Sequence, residues 1–160
     1  MSPRVVIAGG YGLVGGLVAR HLRAAGHELD LVLAGRNPGQ GASLAAELGA
    51  RTARLDVADP AGALAELGAV DLVVATLQDP GDNLLAAALT AGAAHIGIVR
   101  TADSMGSSAV TAVNLARAPA LMLGHWQAGV LTLAALAAAR TLASVQRVEM
   151  AALYDYADPI

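Results

Sequence analysis

Short runs of aliphatic and β-branched residues alternate along the chain with longer, alanine-rich stretches. This alternation is typical of β-α-β units, in which parallel strands are covered by helices on both faces. The apolar runs predict strands over residues 5–8, 29–34, 51–55, 70–77, 94–99 and 120–123. The other stretches predict helices over residues 13–25, 38–48, 60–67, 80–92, 107–117 and 129–143.

Six strands connected by helices match a doubly wound parallel α/β sheet of the Rossmann type. We expect three layers, αβα, with the strand order 3-2-1-4-5-6 and with this domain spanning residues 1–144. The pattern from residue 145 to residue 156 is again that of a strand. We therefore expect residues 145–160 to begin a second domain, used for substrate binding or dimerisation, whose remainder lies beyond this chain.

Composition narrows the possible partners. Of the 160 residues, 56% are hydrophobic and 14% are charged, which indicates a packed domain and not a disordered chain. The net charge of −3 and the absence of Lys/Arg runs argue against nucleic acid as a partner. There is no cysteine, and no His, Asp or Glu cluster has metal-ligand spacing, so we expect no metal. No signal peptide or membrane span is indicated, so we expect a cytoplasmic protein.

A glycine-rich segment directly follows the first strand. Residues 9–15, GGYGLVG, contain both G-x-G-x-x-G and G-x-x-G-x-x-G, and a predicted helix begins within them. In this context the pattern is typical of a loop that binds a dinucleotide pyrophosphate through free N–H groups and the helix dipole. We assign Gly10 to the tight turn, Gly12 to close backbone approach and Gly15 to helix–strand packing. The predicted loop residues are Gly9, Gly10, Tyr11, Gly12, Leu13, Val14 and Gly15.

The end of the second strand bears on the choice between NAD and NADP. NAD-binding domains place Asp or Glu there to bond the ribose 2′-hydroxyl, whereas NADP-binding domains place a cation. The chain has Arg36 and Asn37 at this point and no carboxylate, while Asp30 lies at the opposite end of the strand. The Arg36 guanidinium suits a 2′-phosphate. The sequence therefore favours NADP over NAD, although Arg36 could also be a solvated loop residue.

Polar residues after the third and fourth strands complete the predicted cofactor site. Asp56 and Val57 follow the third strand, where an adenine ring would lie. Asp56 could accept a hydrogen bond from the adenine amino group, or it could be a turn residue. Thr76 and Gln78 follow the fourth strand and could contact the nicotinamide or its ribose. Alternatively, both are ordinary polar residues of a strand-end loop.

Four later residues are candidates for the substrate site. Arg100 and Thr101 follow the fifth strand and could hold a substrate carboxylate. His125 and Trp126 follow the sixth strand, where His125 could be a general acid and Trp126 could cover the pocket. The alternative for this second pair is a structural role between domains. None of the four is assigned as catalytic.

Several segments resemble the N-terminal domain of saccharopine dehydrogenase-like oxidoreductases. They are residues 5–15, 34–38, 89–96 and 124–131, so the resemblance covers nearly the whole chain. It implies a nicotinamide cofactor and a second, substrate-binding α/β domain. The chain departs from the family pattern at residues 76–81, at Gly97 and at Ala128-Gly129, which bears on the substrate and the catalytic details more than on the cofactor.

The expected function is that of an NADP-dependent oxidoreductase. The resemblance implies hydride transfer between the nicotinamide and a carbonyl or imine carbon of a small metabolite. The alternative is a non-catalytic NADP-binding module that regulates a partner or senses redox state. An active short-chain dehydrogenase with a Tyr-x-x-x-Lys pair is excluded because the sequence has no lysine. The uncharged helical segments 84–90 and 130–139 predict cover by a second domain or by another copy of the chain.

Overall fold

The computed structural model describes residues 2–97, 105–115, 117–123 and 126–149. The chain divides into two compact units, Met1–Gly124 and His125–Ile160. The strands of the first unit are β1 (Arg4–Ala8), β2 (Asp30–Gly35), β3 (Arg51–Arg54), β4 (Leu72–Ala75), β5 (Ala94–Gly97) and β6 (Ala120–Met122). Its α-helices are α1 (Leu13–Ala24), α2 (Ala42–Leu48), α3 (Pro60–Glu66), α4 (Asn83–Thr90) and α5 (Met105–Asn114). A 3₁₀ helix, Pro38–Gly41, precedes α2.

The described strands form one parallel sheet in the order β3-β2-β1-β4-β5-β6, which confirms the predicted Rossmann-type topology. In the register of the sheet, Ala8 lies level with Ala34 on one side and with Ala75 on the other. The carboxyl ends of the three central strands are therefore in line. The strand order reverses between β1 and β4, and in doubly wound sheets a crevice opens at this point.

The side chains of β1 alternate between the two faces of the sheet. Val5 and Ile7 belong to a buried cluster that includes residues of α1 and α2. Val6 and Ala8 belong to a second cluster, formed with residues of α3 and α4. The sheet thus has helices on both faces, as the predicted αβα layering requires.

The start of α4 differs from the prediction. The sequence pattern places a helix from residue 80, whereas α4 begins at Asn83. The buried Asp79 carboxylate accepts hydrogen bonds from the backbone N–H groups of Asn83 and Leu84, at 3.0 and 2.8 Å. A side-chain acceptor of this kind satisfies the first amides of a helix, and it sets the helix start three residues later.

Four apolar side chains of α4 are buried. Leu84, Leu85, Ala88 and Leu89 have no exposed surface. Leu84 and Ala88 pack in the cluster with α3 and the sheet, which therefore cover one part of this uncharged helix.

The described part of the second unit consists of α6 (Trp126–Ala139) and the residues that follow it. Residues 141–149 are exposed, and no strand is assigned to them. The second domain expected from residue 145 stays a prediction, since its remainder would lie outside this chain. The rest of that prediction, over residues 150–160, lies outside the described residues. Within the described chain, no helix has the length and apolarity needed to cross a membrane.

A cluster of charges joins the strands at the amino end of the sheet. The Arg4 Nε donates to Asp30 Oδ2 at 2.7 Å, and Arg51 Nη2 donates to the same oxygen at 2.9 Å. Arg4 Nη1 also donates to the carbonyl oxygens of Leu67 and Ala69. The hydrogen bond from Arg4 has the largest effect on the pKa of Asp30 and lowers it. Burial has the next largest effect and raises the pKa, while Arg51 lowers it further, so that the net shift is downward. The ionised Asp30 therefore stabilises the folded state.

We predict that Asp30→Asn lowers the free energy of unfolding near neutral pH by about 1–2 kcal/mol, because charge-assisted hydrogen bonds are lost. The pKa of Asp30 is lower in the folded chain than its ordinary value of 3.8. Its contribution is therefore complete above that value and is lost as the pH falls through the folded-state pKa. Urea unfolding across this pH range should show the two proteins converging at low pH, while the exposed Glu28→Gln control stays close to wild type. A difference that did not change with pH would contradict this account.

Candidate functional site

The glycine loop leaves β1 in a tight, internally bonded turn. Gly9 has φ +80°, and its N–H donates to the Ala34 carbonyl at 2.8 Å. Gly12 N–H then donates to the Gly9 carbonyl at 2.9 Å. The left-handed backbone conformation in this turn belongs to Gly9, the residue before Gly10. Gly10 is required for another reason, since a Cβ there would lie 2.7 Å from the Ile7 carbonyl oxygen and 2.9 Å from Leu33 Cα.

The first turn of α1 lies directly against this loop and the end of β4. Gly15 is buried, and a Cβ at this position would overlap the Gly9 carbonyl group and lie 2.7 Å from Thr76 Oγ1. The Thr76 hydroxyl in turn donates to the Ala8 carbonyl at 2.7 Å. The close packing expected at Gly15 is therefore made with the loop and with Thr76.

The start of α1 is open to a ligand. Gly12 is its N-cap and brings no side chain, and the first turn holds no acidic residue. The first bond within the helix is donated by Gly16 to the Gly12 carbonyl, at 2.8 Å. The amides of the preceding residues 13–15 thus have no acceptor within the helix. Free amides and the positive end of the helix dipole together favour an anion at this point.

A cavity of about 560 Å³ extends from this helix start across the carboxyl ends of the central strands. Nine of the predicted site residues line it: Gly9, Tyr11, Gly12, Arg36, Asn37, Asp56, Val57, Thr76 and Gln78. The sheet thus brings together four loops that are widely separated in sequence. Of the other predicted loop residues, Gly10 and Gly15 are buried, and Leu13 is largely exposed in the first turn of α1, beside Val14.

Arg36 lies at the mouth of the cavity after β2. Its side chain is exposed, and it takes part in no hydrogen bond or ion pair with the residues that the structure describes. The carboxylate of the same strand, Asp30, forms ion pairs with Arg4 and Arg51 at the amino end of the sheet. The end of β2 therefore offers a cation and no carboxylate to a ligand.

Asp56 and Thr76 both have structural partners within the protein. Asp56 Oδ1 accepts from the Ala58 N–H at 3.0 Å, which makes it a turn residue, and it also lines the cavity. The two roles considered for Asp56 are therefore compatible. Thr76 uses its proton to hold the end of β1, so only its oxygen lone pairs are available to a ligand. Gln78 is exposed at the same edge of the cavity.

Four lining residues were not predicted from the sequence: Gly35, Gln40, Leu55 and Leu77. Gly35 could have been predicted, because a glycine directly before a candidate ligand residue allows another group to approach the backbone closely. Here that group is the Tyr11 side chain. The others are ordinary residues that the register of the sheet brings to the cavity. Of the predicted substrate residues, Arg100, Thr101 and His125 lie outside the described residues, and Trp126 is described only as the first residue of α6.

A second depression, of about 480 Å³, lies between α3 and α4. Its lining is mainly alanine, with Asp59 as its one ionisable residue. It offers no cation to a nucleotide phosphate, and the start of α3 that borders it carries the carboxylate of Asp59. The glycine-loop cavity is therefore the better candidate for a functional site.

These features define a doubly wound, Rossmann-type α/β fold with a glycine-rich loop at the carboxyl end of β1, and comparisons with solved structures agree on the fold. Over 88% of this chain, saccharopine dehydrogenase (L-Glu forming) from Saccharomyces cerevisiae matches with a TM-score of 0.65 and 19% identity. Scyllo-inositol dehydrogenase from Lactobacillus casei, with bound NAD(H), matches over 76% with a TM-score of 0.59 and 14% identity. Triphenylmethane reductase from Citrobacter sp., complexed with NADP(H), matches over 74% with a TM-score of 0.58 and 18% identity.

The likeness to a saccharopine dehydrogenase confirms the predicted resemblance at the level of the fold. The chain spans 30%, 36% and 48% of these three proteins in the order given, which is less than half of each. No family profile matches the sequence, and no curated protein matches it either.

We predict that Gly15→Ala destabilises the first unit by about 2–4 kcal/mol, because the new methyl group overlaps a backbone carbonyl. Gly16→Ala is the matched control, since its Cβ would make only an ordinary contact with Leu44, at 3.4 Å. The control should be neutral or stabilising, because alanine favours a helix over glycine. Urea unfolding of both variants tests this, and equal stabilities would show that α1 is not held against the loop as described.

Proposed function

We propose that the chain is the nucleotide-binding part of an NADP-dependent oxidoreductase of the saccharopine dehydrogenase-like type. The observation that carries the proposal is the position of Arg36. It lines the cavity at the end of β2, where the fold places the adenosine ribose, and no carboxylate accompanies it there. A guanidinium recognises a phosphate through parallel, charge-assisted hydrogen bonds, and the ribose phosphate distinguishes NADP from NAD.

The remaining cavity residues fit an extended dinucleotide. The open amides at the start of α1 would hold the pyrophosphate, and Asp56 and Val57 would lie beside the adenine. The other half of the cofactor would extend towards Thr76 and Gln78 at the end of β4. This arrangement uses all four loops that the cavity joins.

The bound nicotinamide would supply hydride transfer to or from a carbonyl or imine carbon of a small metabolite. The described residues contribute binding and orientation. Thr76 holds the end of β1, from which the glycine loop leaves, and the loop amides would set the position of the phosphates. The substrate would be held partly by a further domain or by a second copy of the chain, with Arg100 and Thr101 as candidates to bind its carboxylate.

The first test is a titration of the chain with NADPH and with NADH, followed by nicotinamide fluorescence. We expect tighter binding of NADPH, and we expect Arg36→Ala to weaken NADPH by about 10- to 100-fold, the effect of losing charged hydrogen bonds. NADH binding should change little, because NADH has no 2′-phosphate. Arg117→Ala is the control, since it removes the same charge from an exposed residue that does not line the cavity.

Two outcomes would contradict the proposal. Equal affinity for NADPH and NADH in the wild type would overturn the assignment of Arg36. Failure of a folded chain to bind either nucleotide would overturn the assignment of the cavity. Tight NADPH binding without turnover of imines or oxo acids by the intact protein would instead indicate a regulatory or redox-sensing module.

A further inference from the structure

The side chain of Tyr11 joins the glycine loop to the turn that carries Arg36. The Tyr11 hydroxyl accepts a hydrogen bond from the backbone N–H of Asn37, at 2.9 Å. These two residues are 26 positions apart in the sequence. Asn37 directly follows Arg36, so this contact restrains the backbone next to the guanidinium.

Two glycines make room for the Tyr11 ring. A Cβ on Gly41 would lie 2.6 Å from Tyr11 Cδ1, and a Cβ on Gly35 would overlap the hydroxyl and lie 2.7 Å from Cζ. Gly35 ends β2 and Gly41 ends the 3₁₀ helix, so they flank the turn that contains Arg36. The ring is half-buried and packs with residues of α1 and α2. The phenol is thus fixed by contacts on both sides of this turn.

We propose that Tyr11 is a positioning residue for cofactor choice, which acts by holding the Arg36 turn at a set distance from the pyrophosphate loop. This inference rests on the proposed function. The pyrophosphate and the 2′-phosphate of NADP are attached to the same adenosine ribose, so the groups that bind them need a fixed separation. An aromatic side chain with two rotatable bonds can impose that separation at low entropic cost.

The competing explanation is that Tyr11 merely fills space between α1 and the 3₁₀ helix. Space-filling would affect stability, and any effect on binding would be equal for the two nucleotides. A positioning role would change the ratio of NADPH to NADH affinity. The affinity ratio is therefore the measurement that separates the two explanations.

Tyr11→Phe removes the hydroxyl and keeps the ring. We expect it to lower the NADPH/NADH affinity ratio by about three- to tenfold, the effect of one neutral hydrogen bond on the turn. In an Arg36→Ala background the same change should leave the ratio unaltered, because Tyr11 acts through Arg36. Thermal unfolding of each variant checks that the chain remains folded.

Two glycine variants test independently whether the position of the Tyr11 ring affects the affinity ratio. Gly41→Ala places a methyl group against the Tyr11 ring and should also lower the affinity ratio. Gly39→Ala, in the same 3₁₀ helix, meets nothing within 4 Å and should leave the ratio at the wild-type value.

The outcomes separate this inference from the proposed function. If the wild type prefers NADPH and Tyr11→Phe keeps that preference, Tyr11 is not a positioning residue, although Arg36 keeps its role. If Tyr11→Phe weakens NADPH and NADH equally, its effect is on the loop as a whole, and the inference is again overturned. If the wild type has no preference for NADPH, both the proposed function and this inference fail.

Discussion

The architecture of the site depends on how closely the start of α1 approaches the carboxyl ends of the central strands. Gly9, Gly10 and Gly15 occupy places where a Cβ would meet backbone or the Thr76 side chain. Ala8, Ala34 and Ala75 lie in register beneath them and keep the three central strand ends small. Because these positions carry no bulky side chain, the backbone of Gly9 and Gly12 can line the cavity directly. The cavity and its capacity for an anion both follow from that closeness.

Much of the fold could be predicted because its strands are buried on both faces and therefore form continuous apolar runs, as at residues 5–8. The strand order followed from the glycine loop and the general rules for parallel sheets. The start of α4 could not be predicted, because it depends on which backbone N–H groups bind the Asp79 carboxylate. The extended pattern from residue 145 stays a prediction, because strand pairing needs a neighbour that a local pattern does not specify.

Most of the candidate site was predictable for a topological reason. Residues that follow parallel strands reach the same edge, so Arg36, Asp56 and Thr76 could be expected near the glycine loop. The Tyr11–Asn37 hydrogen bond could not, because it depends on the depth of the ring between Gly35 and Gly41. Such contacts arise from side-chain packing across elements, which motif spacing does not encode.

The two helix starts on either side of the β1–β4 crevice differ in one respect. The first amides of α4 already bind the buried carboxylate of Asp79, whereas α1 has no side-chain cap and its N-cap, Gly12, lines the cavity. The Asp79 carboxylate thus lies at the start of α4 as a bound anion would, whereas the start of α1 has no side-chain acceptor. For the dinucleotide of the proposed function, this difference would favour phosphates at α1, with the adenosine on the β2 side. Asp79 would then influence the direction of the cofactor across the sheet without touching it.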